Sequence, residues 1–326
     1  VYRAPALPAQ RTLTERALAE PSGLAAYAAF PLFRTVGLDR AFYRPLPEPE
    51  YRALAAAVPE GFRFLVKAWQ AITRPEADDS GHTHGPTAAH STPNSVFLDP
   101  VAALDLVLTP AATGLGPALG PVLFQLPPLD LSRSGRLGGV RGVVDRLAGF
   151  VRALPPVRAR PCPDAGPPSP VLCAIELRNR QFFEPAHTPE LAELAAACRE
   201  HAWVLAPAGH PSVPPIADQV AAIERAGWNC SDWPALVVRW LLRADQTYEG
   251  AKRRYAPFGD IVDPDGASLG QIARLCAHAA GHGRSGWVIV NNKAEGSAPI
   301  SVARLARAIT HREGLGDAGA QAGPDS

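Results

Sequence analysis

The sequence predicts an α/β fold of TIM type, a (β/α)8 barrel whose first strand is missing from this chain. Three observations lead there. Short apolar runs alternate with amphipathic stretches from residue 24 to the end of the chain. The runs are apolar throughout rather than at every second position, as in strands covered on both faces of a parallel sheet. Most of the runs also end in a group able to bind ligand or move protons: Phe62–Val66 before Lys67, Val122–Phe124 before Gln125, Val171–Ile175 before Glu176, Leu236–Val238 before Arg239, and Trp287–Val290 before Asn291.

Residues 1–21 show neither period and form an irregular N-terminal segment ahead of a barrel domain expected over 22–312. Leu24–Ala29 reads as helix and Phe33–Leu38 as a strand ending at Asp39. Glu48–Val58 is helical after a proline-bounded turn, and Phe62–Lys67 is the next strand. Arg74–Asn94 is polar, carries Asp78, Asp79, His82, His84 and His90, and is too long for an ordinary strand-to-helix turn. Val96–Leu108 reads as helix, Val122–Leu126 as a strand closed by Pro127-Pro128, and Leu137–Leu154 as an amphipathic helix. Seven prolines in 155–170 mark an exposed connection. Strand 171–176, helix 189–200, strand 202–206, helix 215–225, strand 235–240, helices 247–255 and 268–281, strand 286–291 and helix 300–312 follow, with a Gly/Ala-rich tail from Glu313 expected to be disordered. Alternation of this kind implies a parallel sheet with right-handed crossovers. Seven strands are one short of a closed eight; a strand before Val1 would complete the barrel, and the chain contains no methionine.

Composition narrows the class. With 326 residues, 47% hydrophobic and 19% charged, the chain can bury a large core as a single barrel domain. A net charge of +1 offers no bulk attraction to polyanions. The apolar runs stop well short of the ~20 residues that span a bilayer, and no signal-peptide pattern opens the chain, so a cytoplasmic protein without membrane partners is expected. Five cysteines, odd in number and without a CxxC pair, indicate neither a zinc site nor a disulfide framework. Asn229-Cys230-Ser231 fits the glycosylation pattern and carries no meaning in a cytoplasmic protein. Proline, at 35 residues, is about twice the ~5% norm. Basic residues number 32, yet only Lys67, Lys252 and Lys293 are lysine, which gives the two at strand ends added weight.

A set of segments in order carries a family resemblance: Leu24-Ala25-Ala26-Tyr27, Thr35-Val36, Ala41-Phe42-Tyr43-Arg44, Phe62–Lys67 with Ile72-Thr73, Phe124-Gln125-Leu126-Pro127-Pro128, Ile175-Glu176-Leu177-Arg178, Val237-Val238-Arg239-Trp240, Tyr248, Tyr255, and Asn291–Gly296. In this order they resemble the DUF72 (YecE-like) family of TIM-barrel proteins of unassigned activity. The chain departs from that pattern in three places. The family's opening Gly-Thr-Ser-Gly-Trp segment is absent, Gly37 and Asp39 stand where Glu and Asn are common, and Thr73-Arg74 replaces Thr-His.

In TIM barrels the C-terminal strand ends and the loops after them form the active-site face. Glu176 is the candidate acid/base, since burial behind five apolar residues shifts a carboxyl group toward the range useful for proton transfer. Lys67 can orient an anion, pair with Glu176, or serve as an amine nucleophile. Arg178 and Arg239 are placed to clamp a carboxylate or phosphate. Gln125, Asn291, Asp39, Tyr43 and Lys293 complete the substrate-binding set; Lys293 and Glu295 lie past the last strand, where barrels often bind phosphate. Of Asn291 and Asn292, one is expected in the site and the other under the following loop. Trp69 is more a core residue than a stacking platform, and His82, His84 and His90 read as a mobile polar loop rather than a metal site.

No Walker loop, HExxH, GxSxG or dinucleotide fingerprint is present. The residues point first to a small-molecule enzyme needing no cofactor or metal, with Glu176 as acid/base and Lys67, Arg178 and Arg239 holding an anionic or polyhydroxylated substrate. A non-catalytic ligand-binding barrel is the alternative. An endonuclease-like phosphodiesterase is the third reading, and the scarcity of carboxylates and histidines at the strand ends, together with the small net charge, speaks against a nucleic-acid partner.

Overall fold

The computed structural model describes residues 21–77, 92–132, 135–159 and 169–320, with side chains from 23 to 311. The chain divides into two compact units, Arg34–Leu205 and a second built from Val1–Phe33 with Ala206–Ser326. It is an α/β protein in which every pairing between named strands is parallel.

The Arg34–Leu205 unit holds a five-stranded sheet in the order β1 (Thr35–Leu38), β2 (Arg63–Lys67), β3 (Leu119–Gln125), β4 (Cys173–Glu176) and β5 (Val204–Leu205). Strands β2 to β5 are buried almost throughout, as their unbroken apolar composition requires. Pro121 sits inside β3, a central strand, where a residue without an N–H is costly. The register with β2 slips at that point, from Phe64↔Leu119 to Val66↔Val122, and the irregularity takes the proline out of the ladder. Phe124 on β3 stacks on Trp203 at 5.2 Å, and Phe150 meets both rings edge-on.

Helices cover this sheet. Arg40–Tyr43 and Gln70–Thr73 are single turns after β1 and β2; Glu48–Ala56, Gly139–Ala153 and Thr188–Glu200 are longer. Gly139–Ala153 buries Val140, Val143, Val144, Leu147, Phe150 and Val151, one apolar stripe at helical spacing. Between β2 and β3 lies a helical run that opens at Pro100, capped by Asp99 through Val101 N and Ala102 N. Sequence reading placed this helix at 96–108; it instead extends to Leu115, with a π turn at Leu104–Leu108 in which Thr109 N bonds Leu104 O. Pro110 explains the widened turn, because it cannot supply the next N–H of an α-helix. Pro100–Ala118 is long and apolar enough to cross a membrane by length and composition, contrary to the expectation that no run approaches that size. Its faces are part of the core here: Ala103, Val107, Leu108, Ala111, Ala112 and Leu115 are buried. Gly114 packs so closely on the Glu48–Ala56 helix that a Cβ would lie 2.5 Å from Tyr51 Cβ.

The second unit holds three parallel strands, β6 (Ala208–Gly209), β7 (Leu236–Trp240) and β8 (Gly286–Val290), in that order. The strand expected at 202–206 forms only as β5, and a further short strand that the sequence reading did not place, β6, follows Ala206-Pro207 and pairs in the other sheet. Its helices are Pro21–Ala28, Ile216–Arg225, Tyr248–Tyr255, Gly266–Gly281 and Ala298–Ala320, the last running past the 300–312 expected from periodicity. Gln219 is buried and bonds both Ala208 N and Ala208 O, fixing the short β6 that the ladder alone holds weakly. Thr247 and Asp265 cap the helices that follow them.

Candidate active site at the strand ends

In the Arg34–Leu205 unit polar groups stand at or just past the C-terminal ends of neighbouring strands, at two levels: Gln125 pairs with Glu176, and Lys67 with Leu123, two residues before Gln125. Leu38 pairs with Val66, Lys67 with Leu123, and Gln125 with Glu176, so Asp39, Lys67, Gln125 and Glu176 follow one another across β1 to β4. Glu176 has no exposed surface, and its Oε1 accepts a hydrogen bond from Arg178 Nε. Arg178 lies beyond the end of β4 and is itself buried. A pairing of Glu176 with Lys67 or an arginine is one reading of the sequence; Arg178, two residues on, is one partner the structure gives it.

Lys67 is buried along its stem, with its ammonium 3.3 Å from Asp39 Oδ1 and 3.8 Å from the centre of the Phe42 ring. Asp39 is 62% exposed and stands just before the Arg40–Tyr43 turn. Tyr43 is exposed and meets Phe42 edge-on at 5.4 Å, so it borders the Lys67 pair from outside. Gln125 is half-buried beside Glu176, whose main-chain O accepts Leu126 N. Asn179, which sequence reasoning missed, is buried and clamps the loop after β3: its Oδ1 accepts Leu129 N and its Nδ2 donates to Leu129 O. Its position after Arg178 and opposite the Pro127-Pro128 turn was the only available signal.

The second unit presents Arg239, Asn291 and Lys293. Arg239 is buried on β7 and pairs in register with Ile289, two residues before Asn291. Asn291 N bonds Trp240 O, and Asn291 Oδ1 accepts Lys293 N, so this side chain shapes the turn after β8. Asn292 is buried and accepts Ala298 N, the loop-supporting role expected of one of the two asparagines. Lys293 is 9% exposed, with its ammonium 4.2 Å from the Tyr248 ring centre and 5.8 Å from that of Phe258. The aromatic pair lies some 35–45 residues away in sequence, which hides it from any local pattern. Glu295, considered with Lys293 as a phosphate-site residue, turns out to be a structural anchor: its oxygens accept from Asp265 N, Ser301 Oγ and Arg304 Nη1. Tyr255 donates to Asp263, and burial, with that bond adding to it, pushes its phenol up to about 12.

Four described cysteines are free thiols, and burial pushes those of Cys173 and Cys198 up; Cys162 lies outside the described residues. His82, His84 and His90 also lie outside them. Among the described residues no three His, Cys, Asp or Glu side chains form a group able to hold a metal ion.

A family model described as "Protein of unknown function DUF72" matches residues 8–324. The chain belongs to the DUF72 family. Its fold is similar to the crystal structure of a DUF72 family protein from Enterococcus faecalis V583, with a TM-score of 0.55 and 18% identity over 89% of this chain and 94% of that one. A second crystal structure of that protein gives 0.52 and 17%, covering 89% and 93%. A DUF72 family protein from Thermotoga maritima MSB8 gives 0.49 and 15%, covering 89% and 90%. No curated protein matches the chain. The family model establishes the family, and the two Enterococcus structures support the α/β fold; neither assigns an activity to the strand-end residues.

Proposed function

We propose that this family member is a TIM-type barrel enzyme for an anionic or polyhydroxylated small molecule, with Glu176 transferring a proton at the strand ends. The barrel reading is supported by parallel strands alternating with helices through both units. In such barrels the chemistry lies at the C-terminal strand ends, where Gln125 and Glu176 pair in register and Lys67 closes the neighbouring strand two residues short of that level. The observation that carries the reading is Glu176 itself, a carboxylate without exposed surface, held on one oxygen by Arg178. Buried ionisable groups beside a fixed charge recur at functional sites, which supports a proton-transfer role for this one. Lys67 orients the substrate beside it. Arg178, Arg239, Gln125, Asn291, Asp39, Tyr43 and Lys293 bind.

The alternative is a barrel that binds the same kind of ligand without turnover. It is favoured by the closure of Glu176–Arg178 and Asp39–Lys67 as ion pairs within the protein, the arrangement of a structural charge layer. A thermal-shift panel of sugar phosphates, nucleotides and carboxylates, run on the protein and on Glu176→Gln, separates the two. Ligand at 100–1,000 times its dissociation constant should add ~2–4 kcal/mol of stability. The enzyme reading requires that the responding compound is converted and that Glu176→Gln abolishes conversion. Unchanged conversion in the variant would sink it, and tight binding without conversion by either protein supports the alternative.

A further inference from the structure

We propose that the turn Asn291–Lys293 after β8 is a subsite for a tetrahedral oxyanion, the phosphate group of a small-molecule ligand. The inference rests on the reading that the strand ends hold a ligand, and it narrows "anionic" to one chemistry. Lys293 is more than nine-tenths buried, yet among the described residues its ammonium meets no carboxylate, only the faces of Tyr248 and Phe258. Ring faces offset part of the desolvation of a cation and leave its N–H donors unsatisfied.

The acids nearby in the fold are engaged elsewhere. Glu295 holds Asp265 N, Ser301 and Arg304; Asp263 holds Tyr255 and Arg254; Asp265 caps Ser268 N. Asn291 adds a second donor. Because its Oδ1 accepts Lys293 N at 2.9 Å, its amide is turned so that Nδ2 is the outward group, and Nδ2 has no acceptor among the described residues. An ammonium and an amide NH2 from one turn make a surface of donors alone, which selects an acceptor-rich ligand. An ammonium acts as a point charge that suits phosphate, whereas a planar carboxylate is best matched by a guanidinium fork.

The turn is also built rigidly. Glu295 O accepts both Val262 N and Asp263 N, which ties the loop carrying Phe258 to it. Phe258 is held at φ 63°, a conformation a bulky residue keeps only where its surroundings impose it. At Gly296, φ is 124° and a Cβ would lie 2.5 Å from Asp260 O.

Isothermal titration of the full chain with inorganic phosphate, and with acetate as the planar comparison, tests the subsite. Phosphate should saturate and acetate should bind at least tenfold more weakly. Lys293→Met keeps the apolar stem between the rings and should weaken phosphate tenfold or more. Asn291→Asp keeps the acceptor for Lys293 N but sets a carboxylate beside the ammonium, and should weaken it similarly. Arg284→Gln, removing an exposed cation elsewhere on the unit, should change nothing. The proposal is overturned if phosphate fails to saturate, if acetate binds equally, if both turn variants bind like the parent, or if Arg284→Gln loses as much as Lys293→Met. Titration is blind to turnover, so this result and the Glu176→Gln result fail or succeed separately.

Discussion

The two units finish their strands in opposite ways. At the ends of β1 to β4 the charges are closed on one another: Glu176 on Arg178, Lys67 on Asp39. After β8, the Lys293 ammonium lies over the Tyr248 ring with no acidic partner among the described residues, and Asn291 Oδ1 accepts Lys293 N. Both arrangements place charged groups where water is scarce, and both come from the same kind of strand end. The difference teaches that burial alone does not mark a binding residue. At one set of strand ends each named charge has an oppositely charged neighbour in the protein; at the other, among the described residues, the cation has ring faces.

The contrast can be broken most sharply at Arg178. Arg178→Met should cost ~3–5 kcal/mol, because it strands the fully buried Glu176 carboxylate, and urea unfolding reads this directly. A loss below ~1 kcal/mol would mean that the pair is not the closed unit its geometry implies. Gly296→Ala comes next, at ~1–3 kcal/mol, since the added methyl must fit a left-handed backbone and displace Asp260 O; the thermal midpoint should fall accordingly. The smallest effect belongs to Lys293→Met. Removing a buried ammonium that meets no carboxylate among the described residues sacrifices its ring contacts and relieves its desolvation, so stability should stay within ~1 kcal/mol of the parent or rise. A loss as large as that of Arg178→Met would erase the distinction between the two regions.

Much of this was legible in the chain. Lys67, Gln125, Glu176 and Arg239 each follow or close an apolar run, and the structure sets each on the strand that run forms, because an extended backbone buried on both faces exposes chemistry mainly at its ends. What a strand pattern does not encode is what lies beyond it. Arg178 reaches Glu176 from outside β4, Asn179 clamps a loop fifty residues earlier, and Tyr248 and Phe258 arrive over Lys293 from another segment. Such meetings depend on tertiary folding, not on local period. The π turn was hidden for a different reason: Pro110 was visible as a break in an α-helix, yet the chain widened the preceding turn instead of ending the helix. Glu295 shows the converse case, an acidic residue beside a candidate site whose side chain anchors the scaffold.

Glu295 also sets an order of events in the cell. One carboxylate gathers Asp265, Ser301 and Arg304, and the same residue's carbonyl gathers Val262 and Asp263, so a segment made before the turn around Lys293 is joined through Glu295 to helix residues made after it. Translation runs from the N-terminus, and a nascent chain displays every strand before it gains Arg304. The tie between the Phe258 loop and the turn thereby waits on Glu295, and the anchoring of Glu295 itself waits on Ser301 and Arg304.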